Sequence, residues 1–219
     1  MTTTAWRADP YSDALRTGRG PLFLRRGDGR LMPLDVERWC DAPDAADLTV
    51  LRRCRGPVLD IGCGPGRLVA ALGTQGRKAL GIDVSPEAVA RTVRAGGAAL
   101  CRSVFDPLPE EGRWGTVLLI DGNIGIGGDP VALLRRVAEL TAPRAALIAE
   151  AAVEDIDERC EVRVDNGRGE RGAPFSWARV GIRALRIHAT TAGWSVVRQW
   201  DMAGRAFVEL CRPPRSRRP

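Results

Sequence analysis

The chain has 219 residues, is 44% hydrophobic and 27% charged, and carries a formal net charge of +6. Those proportions match an ordinary soluble domain and exclude wholesale disorder, while the longest apolar runs, Thr116–Ile120 and Ala145–Ala149, end at Asp121 and Glu150, far short of the roughly 20 residues a membrane span needs. The positive charge is local: four arginines lie in the last eight residues, leaving the rest at +2, and only Lys78 is a lysine. A terminal Arg/Pro stretch of this kind reads as a solvated tail, so no nucleic acid is expected as a partner. The first 13 residues lack the apolar core of a secretory signal. The six cysteines show no C-x-x-C or zinc spacing, and one histidine, His188, cannot complete a Cys/His cluster, so reduced thiols and no metal are expected. A cytoplasmic protein without membrane contact is the expectation.

In chain order, residues 1–56 read as an N-terminal appendage. Asp9-Pro10 opens a helix to Arg16, stopped by Gly18 and Gly20. Leu22–Arg26 and Arg30–Leu34 flank a Gly27-Asp28-Gly29 hairpin turn, and Asp44 caps a helix to Cys54. From Pro57 strands and helices alternate. Pro57–Ile61 is a continuously apolar strand. A Gly-rich turn follows, then a helix carrying Leu68, Val69 and Leu72. Ala79–Val84 is a strand, and Ser85-Pro86-Glu87 opens a helix to about Arg94 with a hydroxyl cap, a proline and an acid in the first turn.

Strands at Ala98–Val104 and Thr116–Asp121 come next, then a helix opened by Asp129-Pro130 and a strand at Ala145–Ala151. The polar stretch 154–174, with a turn at Asn166-Gly167, interrupts the alternation. Ser176–Thr191 reads as a helix, and Trp194–Trp200 with Arg205–Cys211 as a closing antiparallel pair. Five short buried strands alternating with helices imply an open α/β sheet, doubly wound and mostly parallel, whose ligands bind beyond the carboxyl ends of the strands where strand order reverses.

At the first such end the chain reads Val58-Leu59-Asp60-Ile61-Gly62-Cys63-Gly64-Pro65-Gly66. Glycines at alternate positions let bare backbone turn tightly against a ligand, and the helix beyond aims free N–H groups into the same space. Asp83 ends the next strand, 21 residues after Gly62, where a carboxylate can accept hydrogen bonds from both hydroxyls of a ribose. Its competing role is to cap the helix at Ser85. The sixth position from Gly62 is Arg67, not glycine, which excludes the dinucleotide fingerprint G-x-G-x-x-G; no Gly-Lys-Ser/Thr phosphate loop is present.

VLDIGCGPGRLVAAL followed by ALGIDVSPEAV closely resembles the class I S-adenosylmethionine-dependent methyltransferases over roughly residues 57–211. The resemblance implies a seven-stranded, Rossmann-like sheet with a terminal antiparallel hairpin, S-adenosylmethionine as cofactor and S-adenosylhomocysteine as product. It implies that Asp60, Gly62, Gly64 and Gly66 line the methionine part, with Cys63 a filler inside the turn, and that Asp83, with Val84 beside it, holds the ribose. The third motif, which contacts adenine in that family, falls on Ser103 and the Val104 backbone, or on Asp106 if the strand ends later. Asp121 falls beside the methionine amine. No catalytic residue is assigned, since methyl transfer from a sulfonium requires mainly alignment.

For the acceptor, Asn123 either orients it or forms a turn, Tyr11 of the appendage either contacts ligand or is ordinary surface, and His188 reads as a packed histidine or a pocket residue. Residues 1–56 and 154–174 are candidate lids, and 212–219 a basic tail. A small-molecule acceptor is the leading expectation. The alternatives are an RNA or protein substrate, or a non-catalytic nucleoside-binding protein.

Overall fold

The computed structural model describes residues 10–212; the tail beyond Arg212 and the first nine residues of the appendage lie outside the described residues. A seven-stranded sheet forms the body. Its interior strand β3 (Val58–Ile61), the middle one of the five parallel strands, is buried along its whole length. One neighbour is β4 (Ala79–Asp83), followed outward by β5 (Ala99–Cys101); the other is β6 (Trp114–Leu119), followed by β7 (Thr141–Ala151). These five strands are parallel. The terminal pair β10 (Ser195–Met202) and β11 (Arg205–Cys211) adds antiparallel to β7. Strand order therefore reverses at β3, and the crevice beyond its carboxyl end is where such a sheet opens to a ligand.

The helices begin where the sequence places their caps. Ser85 Oγ accepts from the Ala88 N–H (3.3 Å) at the start of α5 (Pro86–Arg94). Asp129 accepts from the Val131 and Ala132 amides at the start of α6 (Pro130–Leu140). These bonds satisfy donors that an uncapped helix end leaves orphaned. α4 (Arg67–Thr74) follows β3, and α3 (Ala45–Leu51), capped by Asp44 in a capping box, packs Ala46, Val50 and Leu51 into the core on that face. On the other face Leu133, Leu134 and Val137 of α6 pack with Ala184 and Leu185 of α7 (Ile182–Thr191).

The expected helix Ser176–Thr191 is corrected. Its first part is strand β9 (Phe175–Val180), and only Ile182–Thr191 is helical. The period there is two: Phe175 and Trp177 face one hydrophobic cluster while Ala178 and Val180 enter another. Gly181 separates strand from helix where its backbone passes against the Glu154 carbonyl, leaving no room for a Cβ. The polar stretch before it is largely strand β8 (Asp157–Asp165), which pairs antiparallel with β9.

The two segments read as separate lids are parts of one sheet. β1 (Phe23–Arg26) pairs with β2 (Leu31–Pro33) on one side and with β8 on the other, giving the order β2-β1-β8-β9. Under it lie α1 (Pro10–Thr17) and α2 (Val36–Cys40), with Tyr11, Leu15, Leu24, Val36, Val162 and Val164 forming a core of their own. Arg91 of α5 donates to the Leu15 carbonyl and ties this layer to the body. Among the described residues no helix is long and apolar enough to cross a membrane, and no group of three or more His, Cys, Asp or Glu is arranged to hold a metal. All six cysteines are free thiols.

Candidate active site

A cavity of about 450 Å³ opens between the carboxyl ends of β3, β4 and β5 and the four-stranded sheet. Its floor is the turn after β3. Gly62 and Gly64 hold φ of +71° and +55°, a backbone region that costs any residue with a Cβ strain. A Cβ on Gly64 would lie 3.6 Å from the Tyr11 hydroxyl, directly in the cavity wall. The turn is braced from behind: Asn123 Nδ2 donates to the Ile61 and Gly62 carbonyls, each at 2.9 Å.

Asp83 is 8% exposed and lines the cavity. One carboxylate oxygen accepts from the Gly64 N–H (3.0 Å), the other from the Ser85 N–H (2.9 Å). It therefore both steadies the helix start and clamps the Gly-rich turn. Both carboxylate oxygens are thereby held at the edge of the cavity. Val84, Ser103 and Val104 continue the wall. β5 ends at Cys101, three residues earlier than expected, because Asp106 accepts from the Ser103 N–H (3.2 Å) and turns the chain; Asp106 closes this loop and does not line the cavity.

Other expected site residues take different places. Asp60 is fully buried behind the turn and does not line the cavity; burial pushes its carboxyl up to about 7, with Arg67 pulling it down and Asp121, Asp47 and Asp83 pushing it further up. Gly66 caps α4 at φ +87°, and a Cβ there would overlap Thr92 of α5, so this glycine serves helix packing. Cys63 lines the cavity, but its sulfur is wedged against Gly81 and Thr92, and burial pushes the thiol well above its ordinary range. It is a filler, not a nucleophile.

Asp121 begins the loop after β6 at φ +58° and lines the cavity, already paired with three arginines. Arg38 of α2 lies 2.7 Å away, Arg67 2.8 Å and Arg205 3.3 Å. Burial would raise its carboxyl, but these guanidiniums hold it below the ordinary range. Arg67, 8% exposed, also pairs with Asp47 at 2.7 Å, and Arg205 joins Asp47, Asp44 and Glu150. Burial would raise Asp47 as well, yet Arg67 and Arg205 hold it at about 2. An ionic hub thus underlies the methionine end of the expected cofactor site and reaches, through Arg38, into the upper layer. Asp121, expected beside the methionine amine, lines the cavity and anchors this hub.

Tyr11 is buried edge-on against Trp39 (centroids 6.4 Å apart), with both rings lining the cavity. Asn123 lines it too, but its amide is committed to the glycine turn. His188 is outside: it lies on α7, its Nε2 hydrogen-bonded to Asp157 Oδ1 (2.8 Å), and it does not line the cavity. As a pocket residue it is corrected. Sequence reasoning missed Arg67 as a hub residue, although an arginine in the first turn of a helix opposes the helix dipole and asks for a carboxylate partner. It also missed Trp39, Glu161 and Trp177, whose approach depends on strand pairing across the chain.

The doubly wound sheet, the glycine turn and the cavity-lining Asp83 define an α/β architecture with a ligand site beyond its parallel strands. Residues 58–144 match the family described as "Methyltransferase domain". That match, over under half of the chain, and this fold support a class I S-adenosylmethionine-dependent methyltransferase family. It is similar to an S-adenosylmethionine-dependent methyltransferase from Bacteroides fragilis solved with S-adenosyl-L-homocysteine (19% identity, 96% of each chain, TM-score 0.77). It is also similar to the CcbJ methyltransferase from Streptomyces caelestis (16% identity, 98% of this chain and 100% of that one, TM-score 0.66). A third is 1,6-didemethyltoxoflavin-N1-methyltransferase from Burkholderia thailandensis (17% identity, 77% of each chain, TM-score 0.57). At these identities the likeness is one of fold. No curated protein matches by sequence.

Proposed function

We propose that the chain binds S-adenosylmethionine in the cup formed by Gly62–Gly64, Asp83, Val84, Ser103 and Val104 and transfers its methyl group to a small molecule held under the four-stranded sheet. The carrying observation is Asp83, fixed by two backbone donors at the edge of a cavity floored by bare backbone. The residues fit the cofactor: the carboxylate suits the ribose diol, and the space above Gly64 is one a Cβ would fill. When bound, the cofactor supplies an electrophilic methyl on a sulfonium that leaves as a neutral thioether.

The protein's part is alignment. A nucleophile lone pair must meet the methyl carbon opposite the carbon–sulfur bond, and such positioning contributes about 7–11 kcal/mol in favourable cases. The four-stranded sheet acts as the lid of this site, drawing on both segments read as lids. The cavity continues past the cup to an upper wall with Trp39 and Trp177, which favours an enzyme over a binding protein that merely retains the cofactor fold.

Calorimetric titration with S-adenosylhomocysteine tests the reading. Saturable binding by the wild type and its loss in Asp83→Ala are expected, together with transfer of labelled methyl to a small-molecule extract. Absence of binding by the folded wild-type chain would overturn it.

A further inference from the structure

The wall that faces the acceptor end of the cavity is apolar and aromatic, with Trp39, Phe175, Trp177, Leu24 and Ile126 contributing to it. One unpaired carboxylate lines the same cavity from the other face of the sheet: Glu161 of β8, which is exposed. Its strand register sets Glu161 opposite Ser176, another lining residue. Side chains alternate along β8. Cys160, Val162 and Val164 pack toward α1, so Glu161 shares the opposite face with Asp157 and Arg159, which reach His188 and Asp129 of the body.

The arginines on either side of Glu161 on that face are engaged elsewhere. Arg159 pairs with Asp129 (3.5 Å), and Arg163 donates to the Gly172 carbonyl (3.3 Å). Among the described residues no hydrogen bond or ion pair engages the Glu161 carboxylate. Among the described residues no other charged group lining the cavity pairs with it. Arg67 and Asp121 neutralise each other, and Asp83 is held on the cofactor side. Arg102 follows β5, where its amide donates to the Asp83 carbonyl (2.9 Å).

The geometry points to an aromatic or otherwise apolar amine as the methyl acceptor, recognised through its ammonium group by Glu161. This inference rests on the reading under Proposed function and names the substrate class of that site. An unpaired carboxylate lining the cavity attracts a cation by charge, and the apolar groups elsewhere on the lining suit an apolar body. It repels a carboxylate or phenolate. The step balances: the ammonium gives one proton to the Glu161 carboxylate, and the freed nitrogen lone pair forms the bond to the methyl carbon. The carbon–sulfur pair goes to sulfur, leaving a methylated ammonium and a neutral thioether. Glu161, being exposed, returns its proton to solvent.

The test uses three probes that share one ring system: tryptamine, the neutral alcohol tryptophol, and indole-3-acetate. Each is titrated calorimetrically into the full chain saturated with S-adenosylhomocysteine. The wild type is expected to bind tryptamine at least tenfold more tightly than indole-3-acetate. Glu161→Gln is expected to lose about tenfold for tryptamine and less than twofold for tryptophol. Equal affinities, a preference for the acid, no binding of any probe, or a tryptamine preference that survives Glu161→Gln would each overturn the inference. Failure of the wild type to bind S-adenosylhomocysteine at all would instead strike the cofactor reading.

Discussion

The floor and the upper wall of the cavity are built by opposite strategies. The floor is local: β3, its glycine turn, α4 and β4 lie within residues 58–83, and Asp83 clamps Gly64 across 19 positions. The wall is assembled from afar, since Phe23–Arg26 pairs with Val162–Asp165 about 140 residues later. A contiguous motif positions the part that every turnover of a shared cofactor requires. A composite sheet positions the part proposed to meet the acceptor, where substitutions can change shape without disturbing the cup. The ionic hub is the exception, because Arg38 brings the upper layer onto Asp121 in the floor.

The largest way to break this separation is Arg67→Met. It leaves Asp47 and Asp121 with fewer counter-charges in a buried setting. Removing one partner from a buried ion pair costs about 3–5 kcal/mol. Urea denaturation is expected to show a loss of that size, and the damage should reach both layers, seen as raised amide exchange in α2 as well as α4. A loss below about 1 kcal/mol, the range of an exposed pair, would mean the hub is not a structural joint.

Asp60→Asn sharpens the picture inside the floor alone. The folded carboxyl titrates near 7 against an ordinary 3.8, so between these values the folded chain holds a proton that the unfolded chain has released. Stability from this group is therefore full below pH 3.8 and is lost as pH rises through 7, by ~4 kcal/mol in all. The asparagine variant removes the titration, so its unfolding free energy should vary less between pH 4 and 8 than that of the wild type. Asp47 runs the other way: held at about 2, its contribution is present above 3.8 and fades as pH falls through 2. Parallel pH profiles for wild type and Asp60→Asn would contradict the burial argument.

Asp83→Ala comes next in size. On the proposed reading it deletes the acceptor for the ribose hydroxyls, and it releases the Gly64 amide. Hydrogen bonds to a charged group are worth about 1.5–3 kcal/mol each, so a loss of roughly 100-fold or more in S-adenosylhomocysteine affinity is expected. Asp83→Asn, which keeps one accepting oxygen, should lose less. A circular dichroism melt separates lost affinity from lost fold.

Legibility in the sequence follows the same division. The cup is readable because glycine placement, an apolar strand and a capped helix are each decided within a few residues of one another. Asp83 is readable in both its roles, since a carboxylate at a strand end that also precedes Ser85-Pro86 can serve a helix start and a ligand together. The strand at Phe175–Val180 reads as helix because Trp177 and Ala178 are each apolar enough for a helical stripe, and only pairing with β8 selects the period of two. Asn123 reads as either a substrate residue or a turn former because its partners, the carbonyls of Ile61 and Gly62, are about 60 positions away. Arg67 carries a weaker signal of its own: its charge opposes the helix start, and the compensating Asp47 lies on another element.

His188→Gln is the smallest effect and tests the border of the site. The ring lies on α7, bonded to the half-exposed Asp157 that begins β8, and no part of it lines the cavity. Exposed pairs of this kind contribute about 0.2–1 kcal/mol. Glutamine keeps a polar group able to meet Asp157, so the melting midpoint should move by no more than that contribution implies. S-adenosylhomocysteine affinity, set by groups at the other end of the sheet, should not change beyond twofold. A histidine acting as a base on the acceptor would behave differently, losing methyl transfer steeply while the fold and the cofactor affinity stayed intact. Measuring transfer rate and affinity on the same variant separates these cases, because a residue that only braces the start of β8 moves neither quantity by an order of magnitude.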